Sequence, residues 1–140
     1  MYLLDTNVIS ELRKAKTDKI DKGVEKWAGS VPSSSLFLSA ITILEIELGI
    51  LQKERKDPVQ GSILRAWVND YLLPVFSERI LFVDTAVAKR CAALHVPDPK
   101  PQRDSLIAAT AIVHEMVVVT RNVRDFESAD VEVLNPWEWK

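Results

Sequence analysis

Short apolar runs alternate along the chain with longer stretches in which apolar residues recur at the helical period. Tyr2-Leu3-Leu4, Leu36-Phe37-Leu38, Ile80 to Val83, Met116 to Val119 and Val131 to Leu134 predict five strands. Between them the pattern predicts helices. One begins near Val8, with Thr6 or Asn7 as its cap, and a short one covers Val24 to Ala28 before Gly29-Ser30 and Pro32. A long one runs from Ile41 to about Lys56, where Pro58 and Gly61 break it, and the next spans Ser62 to Phe76. Asp84 caps a helix through about Leu94, and a last helix covers Arg103 to about Glu115. Lys14 to Lys22 reads as an exposed loop, as does His95 to Gln102 with Pro97, Pro99 and Pro101. Arg121 to Ser128 reads as a turn, and Trp137 and Trp139 are expected to cover part of the core. The strands lack polar alternation, as expected where both faces of a sheet are covered. The alternation of elements therefore predicts an α/β fold, a parallel β-sheet sandwiched by helices, in one domain spanning 1–140.

Composition narrows the class. The chain has 140 residues, 47% hydrophobic and 27% charged, the balance of a soluble globular protein that buries its own core. Cys91 is the only cysteine, so no internal disulfide is available, and a reducing, cytoplasmic setting is expected. With His95 and His114 as the only histidines, there is little material for structural zinc. No apolar run approaches the length of a membrane span, and Asp5 interrupts the first apolar run too early for a signal core. The formal net charge of −2 argues against a passive basic coat for nucleic acid but leaves room for a local basic rim around a site.

Candidate chemistry lies in carboxylates. In open parallel sheets, ligands bind outside the carboxyl ends of the strands. Asp5 emerges there from the first strand, and the Thr120 to Asp125 turn emerges from the fourth. Within Ile41 to Gly49, Glu45 has Ile41, Leu48 and Gly49 one helical turn away, which puts a charge on a largely apolar stripe. A buried charge needs a partner. Glu47 competes with it, since Leu44, Ile50 and Leu51 surround it similarly, and the pattern alone leaves both open. Asp104 opens the last helix, whose stripe of Ile107, Ala108 and Ala111 is small enough to lie close to the sheet. Asp125 follows in the turn, with Thr120 and Asn122 nearer the strand end. Each acid taken singly fits a helix cap or a solvated turn. Together they form an all-oxygen donor set suited to a hard divalent cation. Such ions remove the repulsion among packed carboxylates, activate water and steady charge at a phosphate. Arg13, Lys14, Lys16, Lys100, Arg103, Arg121 and Arg124 flank these motifs. Of them, Arg13, Lys14, Arg103, Arg121 and Arg124 are the candidate contacts for nucleic-acid phosphates.

The motifs Tyr2-Leu3-Leu4-Asp5-Thr6-Asn7-Val8, Ser39 to Gly49, Arg103 to Ala111 and Thr120 to Phe126 resemble, in this order, the PIN-domain family. More specifically, they resemble its VapC-type toxins, and the resemblance covers essentially the whole chain. It implies a PIN-like α/β/α fold and a Mg2+-dependent endoribonuclease, with Mn2+ able to substitute, that arrests translation by cutting RNA, often tRNA. The family glutamate stands four residues before a glycine, which selects Glu45 over Glu47. The implied metal and catalytic residues are Asp5, Glu45, Asp104 and Asp125, supported by Thr6, Asn7, Thr120 and Asn122. The implied partners are a cognate antitoxin, a second copy in a homodimer, and operator DNA reached through the antitoxin; no membrane is implied. One departure stands out: many members carry an acid where this chain has Asn122.

Three other readings fit the residues less well. A haloacid-dehalogenase-like phosphohydrolase also opens with a strand and an aspartate, but it needs a second acid where Asn7 stands, and a late lysine. A receiver domain needs an acceptor aspartate after a central strand, whereas Asp57 precedes Pro58 in a polar break. A PIN-like binding module that has lost catalysis is disfavoured by the intact Asp5, Glu45 and Asp104.

Overall fold

A computed structural model describes residues 1–140. Its centre is a five-stranded parallel sheet of β1 (Tyr2–Leu4), β2 (Leu36–Ser39), β3 (Ile80–Leu81), β4 (Val117–Val119) and β5 (Val133–Leu134). The strand order is β3-β2-β1-β4-β5. β1 is paired with β2 on one side and with β4 on the other, with Leu3 opposite Val118 and Leu4 opposite Val119. The order reverses between β1 and β4, and a crevice opens at the carboxyl ends of such a pair.

Neighbouring residues on one strand serve opposite faces. Leu4, Leu36, Leu38 and Val119 pack with Val8, Ile9, Trp27, Ile50, Val68, Leu72 and Phe76 on one face. Leu3 and Val118 pack with Ile107, Ala108, Ala111, Met116 and Phe126 on the other. Leu3, Leu4, Val118 and Val119 are all fully buried, which is why their strands show no polar alternation.

The helices are α1 (Thr6–Leu12), α2 (Lys22–Ser30), α3 (Ala40–Lys56), α4 (Pro58–Trp67), a short α5 (Leu73–Val75), α6 (Thr85–Leu94) and α7 (Gln102–Val113). Asp84 caps α6 by accepting from the Val87 N–H, as the sequence predicts. Elsewhere the structure departs from expectation. Thr6 and Asn7 do not cap α1; Asp5 does, accepting from the Thr6 N–H, so the side chains of Thr6 and Asn7 are released for other partners. Pro58 and Gly61 do not form an unstructured break. Pro58 sits in the first turn of α4, where its missing N–H costs nothing, and Asp57 caps that turn. Gly61 marks the close crossing of two helices, since a Cβ there would lie 2.6 Å from the Cα of Glu54 on α3. α4 then continues through one widened turn, Val68–Leu72, into α5. β3 stops at Leu81, leaving Phe82 and Val83 exposed. Of the two tail tryptophans, Trp137 packs against the core, whereas Trp139 is 41% exposed. No helix is long and apolar enough to cross a membrane.

Candidate active site

Asp5 directly follows β1 and is buried. Its backbone N–H still donates to the Val119 carbonyl at 2.9 Å, so the carboxylate is fixed at the crevice by the sheet ladder itself. Oδ1 accepts from the Thr6 N–H at 2.9 Å. Oδ2 accepts from the Thr120 hydroxyl at 2.8 Å and, more weakly, from Asn7 Nδ2 at 3.4 Å. Thr120 is fully buried, and its Oγ1 also accepts from Asn7 Nδ2 at 3.2 Å and from the Asn122 N–H at 3.0 Å. Asn7 completes the bracket through Oδ1, which accepts from the Arg121 N–H at 3.1 Å. The start of α1 and the turn after β4 are thus stitched together around one carboxylate.

Glu45 reaches the same place from α3. Its Oε1 accepts from the Thr6 hydroxyl at 2.6 Å, and its Oε2 lies 3.7 Å from Arg103 Nη1. The partner that the apolar stripe demands is therefore found. Glu47 has a different employment: Arg65 Nη1 donates to its two oxygens at 2.8 and 2.6 Å and Nη2 reaches Glu54 at 3.2 Å. That fork joins α3 to α4 and leaves Glu45 as the residue facing Asp5's neighbourhood.

Asp104 stands in the first turn of α7. The buried Ala108 and Ala111 let this helix lie against the sheet, as the small-residue stripe predicts. Its carboxyl is raised to about 6, first by burial, then by the negative charges of Asp125, Asp5 and Glu45, with Arg103 opposing. Asp5 is raised as well, chiefly by burial; the Thr120 and Thr6 hydrogen bonds oppose this, while Glu45 and Asp125 add to it. The negative charges of Glu45 and Asp125 thus act on both Asp5 and Asp104, and at Asp104 they outweigh what Arg103 offsets. Asp125 is itself exposed, on a short 3-10 turn (Val123–Phe126) pinned by the buried Phe126. With Asp104 it lines a small cavity of about 30 Å³. Asn122 contributes to Thr120 through its backbone, and its residue is exposed.

The donor set suits a hard cation: oxygen throughout, crowded, and short of positive charge. No three His, Cys, Asp or Glu side chains lie close enough together here to hold a metal ion between them. These acids suit Mg2+ by their chemistry, since that ion keeps several waters and takes only one or two carboxylates directly.

A model of the PIN domain matches residues 2–132. The chain belongs to the PIN-domain family. Among PIN relatives, VapC ribonuclease Y4jK of Sinorhizobium fredii (strain NBRC 101917 / NGR234) is 34% identical over 99% of both chains. Toxin FitB of Neisseria gonorrhoeae (strain ATCC 700825 / FA 1090) is 37% identical over 98% of this chain and 99% of its own. The solved structure of FitAB bound to an IR36 DNA fragment superposes with a TM-score of 0.85 and 35% identity, covering 100% of this chain and 98% of that one. Within the PIN family, this protein is of the VapC/FitB type.

Around this PIN-domain site the basic residues divide. Arg103 pairs with Glu45. Arg13 lines a cleft of about 430 Å³ between α1, α3 and α4 that also contains Thr6 and Glu45. Arg121 and Arg124 line an open groove on the other side with Asn122 and Asp125, and Arg121 lies 5.2 Å above the Trp137 ring. Lys14 is turned to Glu11 at 3.1 Å, a partner that is itself tied to the Asp21 N–H. Sequence reasoning missed Lys53, which lines the cleft with Arg13. Its signal was the spacing Glu45, Gly49, Lys53, which keeps all three on one helical face.

Proposed function

We propose that this chain is a divalent-cation-dependent endoribonuclease, the toxin of a toxin–antitoxin pair, which cuts RNA, with tRNA its substrate, and so arrests translation. The observation that carries this reading is the convergence of Asp5, Glu45, Asp104 and Asp125 on the β1/β4 crevice with too little positive charge among them. The names VapC ribonuclease and toxin FitB, borne by relatives over the full chain length, support it.

In this reading Asp5, Glu45 and Asp104 would hold Mg2+, or Mn2+ in its place, one or two of them directly and the rest through water, and Asp125 would contribute from the rim. When bound, the ion supplies Lewis-acid activation of water and stabilises charge on a phosphate oxygen during in-line displacement. The chain's own residues do the positioning. Thr120 and Asn7 orient Asp5, and Thr6 orients Glu45, each through a hydrogen bond that fixes one carboxylate oxygen and leaves lone pairs facing the crevice. Arg13 on one side and Arg121 and Arg124 on the other contact phosphates flanking the cut bond. Hydrolysis breaks one phosphorus–oxygen bond, adds the water oxygen to phosphorus and returns a proton to the leaving oxygen.

A cognate antitoxin is the partner of this chain, which acts as a homodimer. Operator DNA is reached through the antitoxin, a reading supported by the solved FitAB–DNA assembly.

The decisive assay is cleavage of total tRNA by purified, antitoxin-free protein with Mg2+ or Mn2+ and with a chelator, beside Asp5→Asn. Discrete cuts that need both metal and Asp5 are expected. Full activity in Asp5→Asn, with contaminating nuclease excluded, sinks the carboxylate mechanism; no cleavage under any metal leaves either a narrow substrate absent from the tRNA pool or a PIN fold kept for binding.

A further inference from the structure

Glu45 has two oxygens in two different situations. Oε1 is held by the Thr6 hydroxyl at 2.6 Å, a short bond between partly buried groups. Oε2 faces Arg103 Nη1 at 3.7 Å, too long for a hydrogen bond but within ion-pair range. The Arg103 side chain is 51% exposed against 22% for that of Glu45, so the cationic end of the pair is the one free to leave. Arg103 also immediately precedes Asp104 on the first turn of α7 and offsets its negative surroundings. No other ion pair involves any of the four acids: Lys14 is engaged by Glu11, Lys22 by Glu25 and Arg65 by Glu47 and Glu54.

We propose that Arg103 is a positioning residue that serves as a built-in counter-cation, holding Glu45 Oε2 before a divalent cation arrives and yielding that oxygen to the ion. The proposal rests on the metal-nuclease reading above and adds a competition to it. Before loading, the guanidinium relieves repulsion among the acids and keeps Glu45 aimed at the crevice. On loading, two cations cannot share Oε2 without mutual repulsion, so the long, exposed arginine swings outward. Because coupling between two bound charges is reciprocal, an Arg103 that is weakened by the ion must also weaken the ion's binding. The released guanidinium stays at the site's edge, where its planar fork matches a phosphate.

The test is calorimetric titration of Mn2+ into the full chain without RNA, with melting temperature in chelator as a second readout. Neutralising Arg103 with Arg103→Gln should tighten Mn2+ binding about three- to tenfold, the effect of removing one nearby charge in a partly solvated site. Arg103→Lys, which keeps the charge, should return affinity towards wild type. Lys22→Gln, a charge change on α2 away from the acids, should leave it unmoved. In chelator Arg103→Gln should melt lower, because the acids lose their only ion-pair partner. Unchanged or weaker Mn2+ binding in Arg103→Gln overturns the proposal and leaves the pair a structural contact. Absence of Mn2+ binding in wild type and variant alike overturns the metal-site reading, and this proposal with it.

Discussion

The Thr120 hydroxyl donates to Asp5 Oδ2 at 2.8 Å, linking the ends of the two central strands across 115 positions of sequence. Thr120 Oγ1 in turn accepts from Asn7 Nδ2 and from the Asn122 N–H, so one small side chain closes four groups into a network. Thr120→Val keeps the shape but leaves those donors and Asp5 short of a partner in a buried place. A loss of about 1–3 kcal/mol in urea unfolding is expected. Thr120→Ser should recover most of it, and equal stability of the valine variant would show the network to be idle.

The raised carboxyls give the site a signature in pH. Asp104, ordinarily near 3.8, stands at about 6, and Asp5 is raised too, so the folded chain holds these protons more tightly than the unfolded one. Their contribution to stability is therefore greatest below about 3.8 and is lost as pH rises through about 6. In chelator, the melting temperature should decline from this source between about pH 4 and 6.5 and be flat above that range. Asp104→Asn should flatten that decline, and saturating Mg2+ should oppose it in wild type. A slope identical in Asp104→Asn would mean that Asp104 is not strained in the folded chain.

Glu45 and Glu47 lie two residues apart and should behave oppositely. Glu45→Gln should abolish metal-dependent cleavage while the fold persists by circular dichroism. Glu47→Gln should leave cleavage intact and cost no more than about 1 kcal/mol, because its bond to Arg65 is partly solvated and Glu54 remains. Loss of cleavage in Glu47→Gln with full Mn2+ affinity retained in Glu45→Gln would reverse the assignment.

The turn after β4 is tested from both ends. Asn122→Asp restores an acid at the rim and should tighten Mn2+ binding several-fold, since an anionic oxygen binds a hard cation better than an amide. Asp125→Asn should weaken it and lower the pKa of Asp104, followed by NMR titration, because Asp125 is the leading charge that raises it. If neither variant alters metal dependence, this turn lies outside the site.

Gly61→Ala should destabilise the chain although alanine favours helices. The added Cβ would lie 2.6 Å from the Glu54 Cα and 2.7 Å from its backbone nitrogen, atoms that cannot rotate away. Pushing α3 and α4 apart costs about 1–3 kcal/mol, more than the roughly 1 kcal/mol gained in propensity. Thermal unfolding reads the sign directly.

The strands and their parallel pairing were legible because burial on both faces writes continuous apolar runs such as Leu3-Leu4 and Val117 to Val119 into the sequence. Asp5 and Asp104 were legible for a related reason: each stands where an element begins or ends, and the chain marks such places locally. Helix edges near Pro58 and Gly61 were misread because the same two residues that stop a helix also start one and allow close crossing. That choice depends on where Glu54 of the neighbouring helix lies.

What the sequence alone determined was the class of fold and the placing of acids at the ends of its elements, since hydrophobic period and side-chain chemistry are local properties. Only the tertiary structure decided which partners those acids have. Thr6 binds Glu45 across 39 positions, Thr120 binds Asp5 across 115, and Arg65 removes Glu47 from contention. These pairings arise from strand order and helix packing, which bring together residues whose relation no local pattern records.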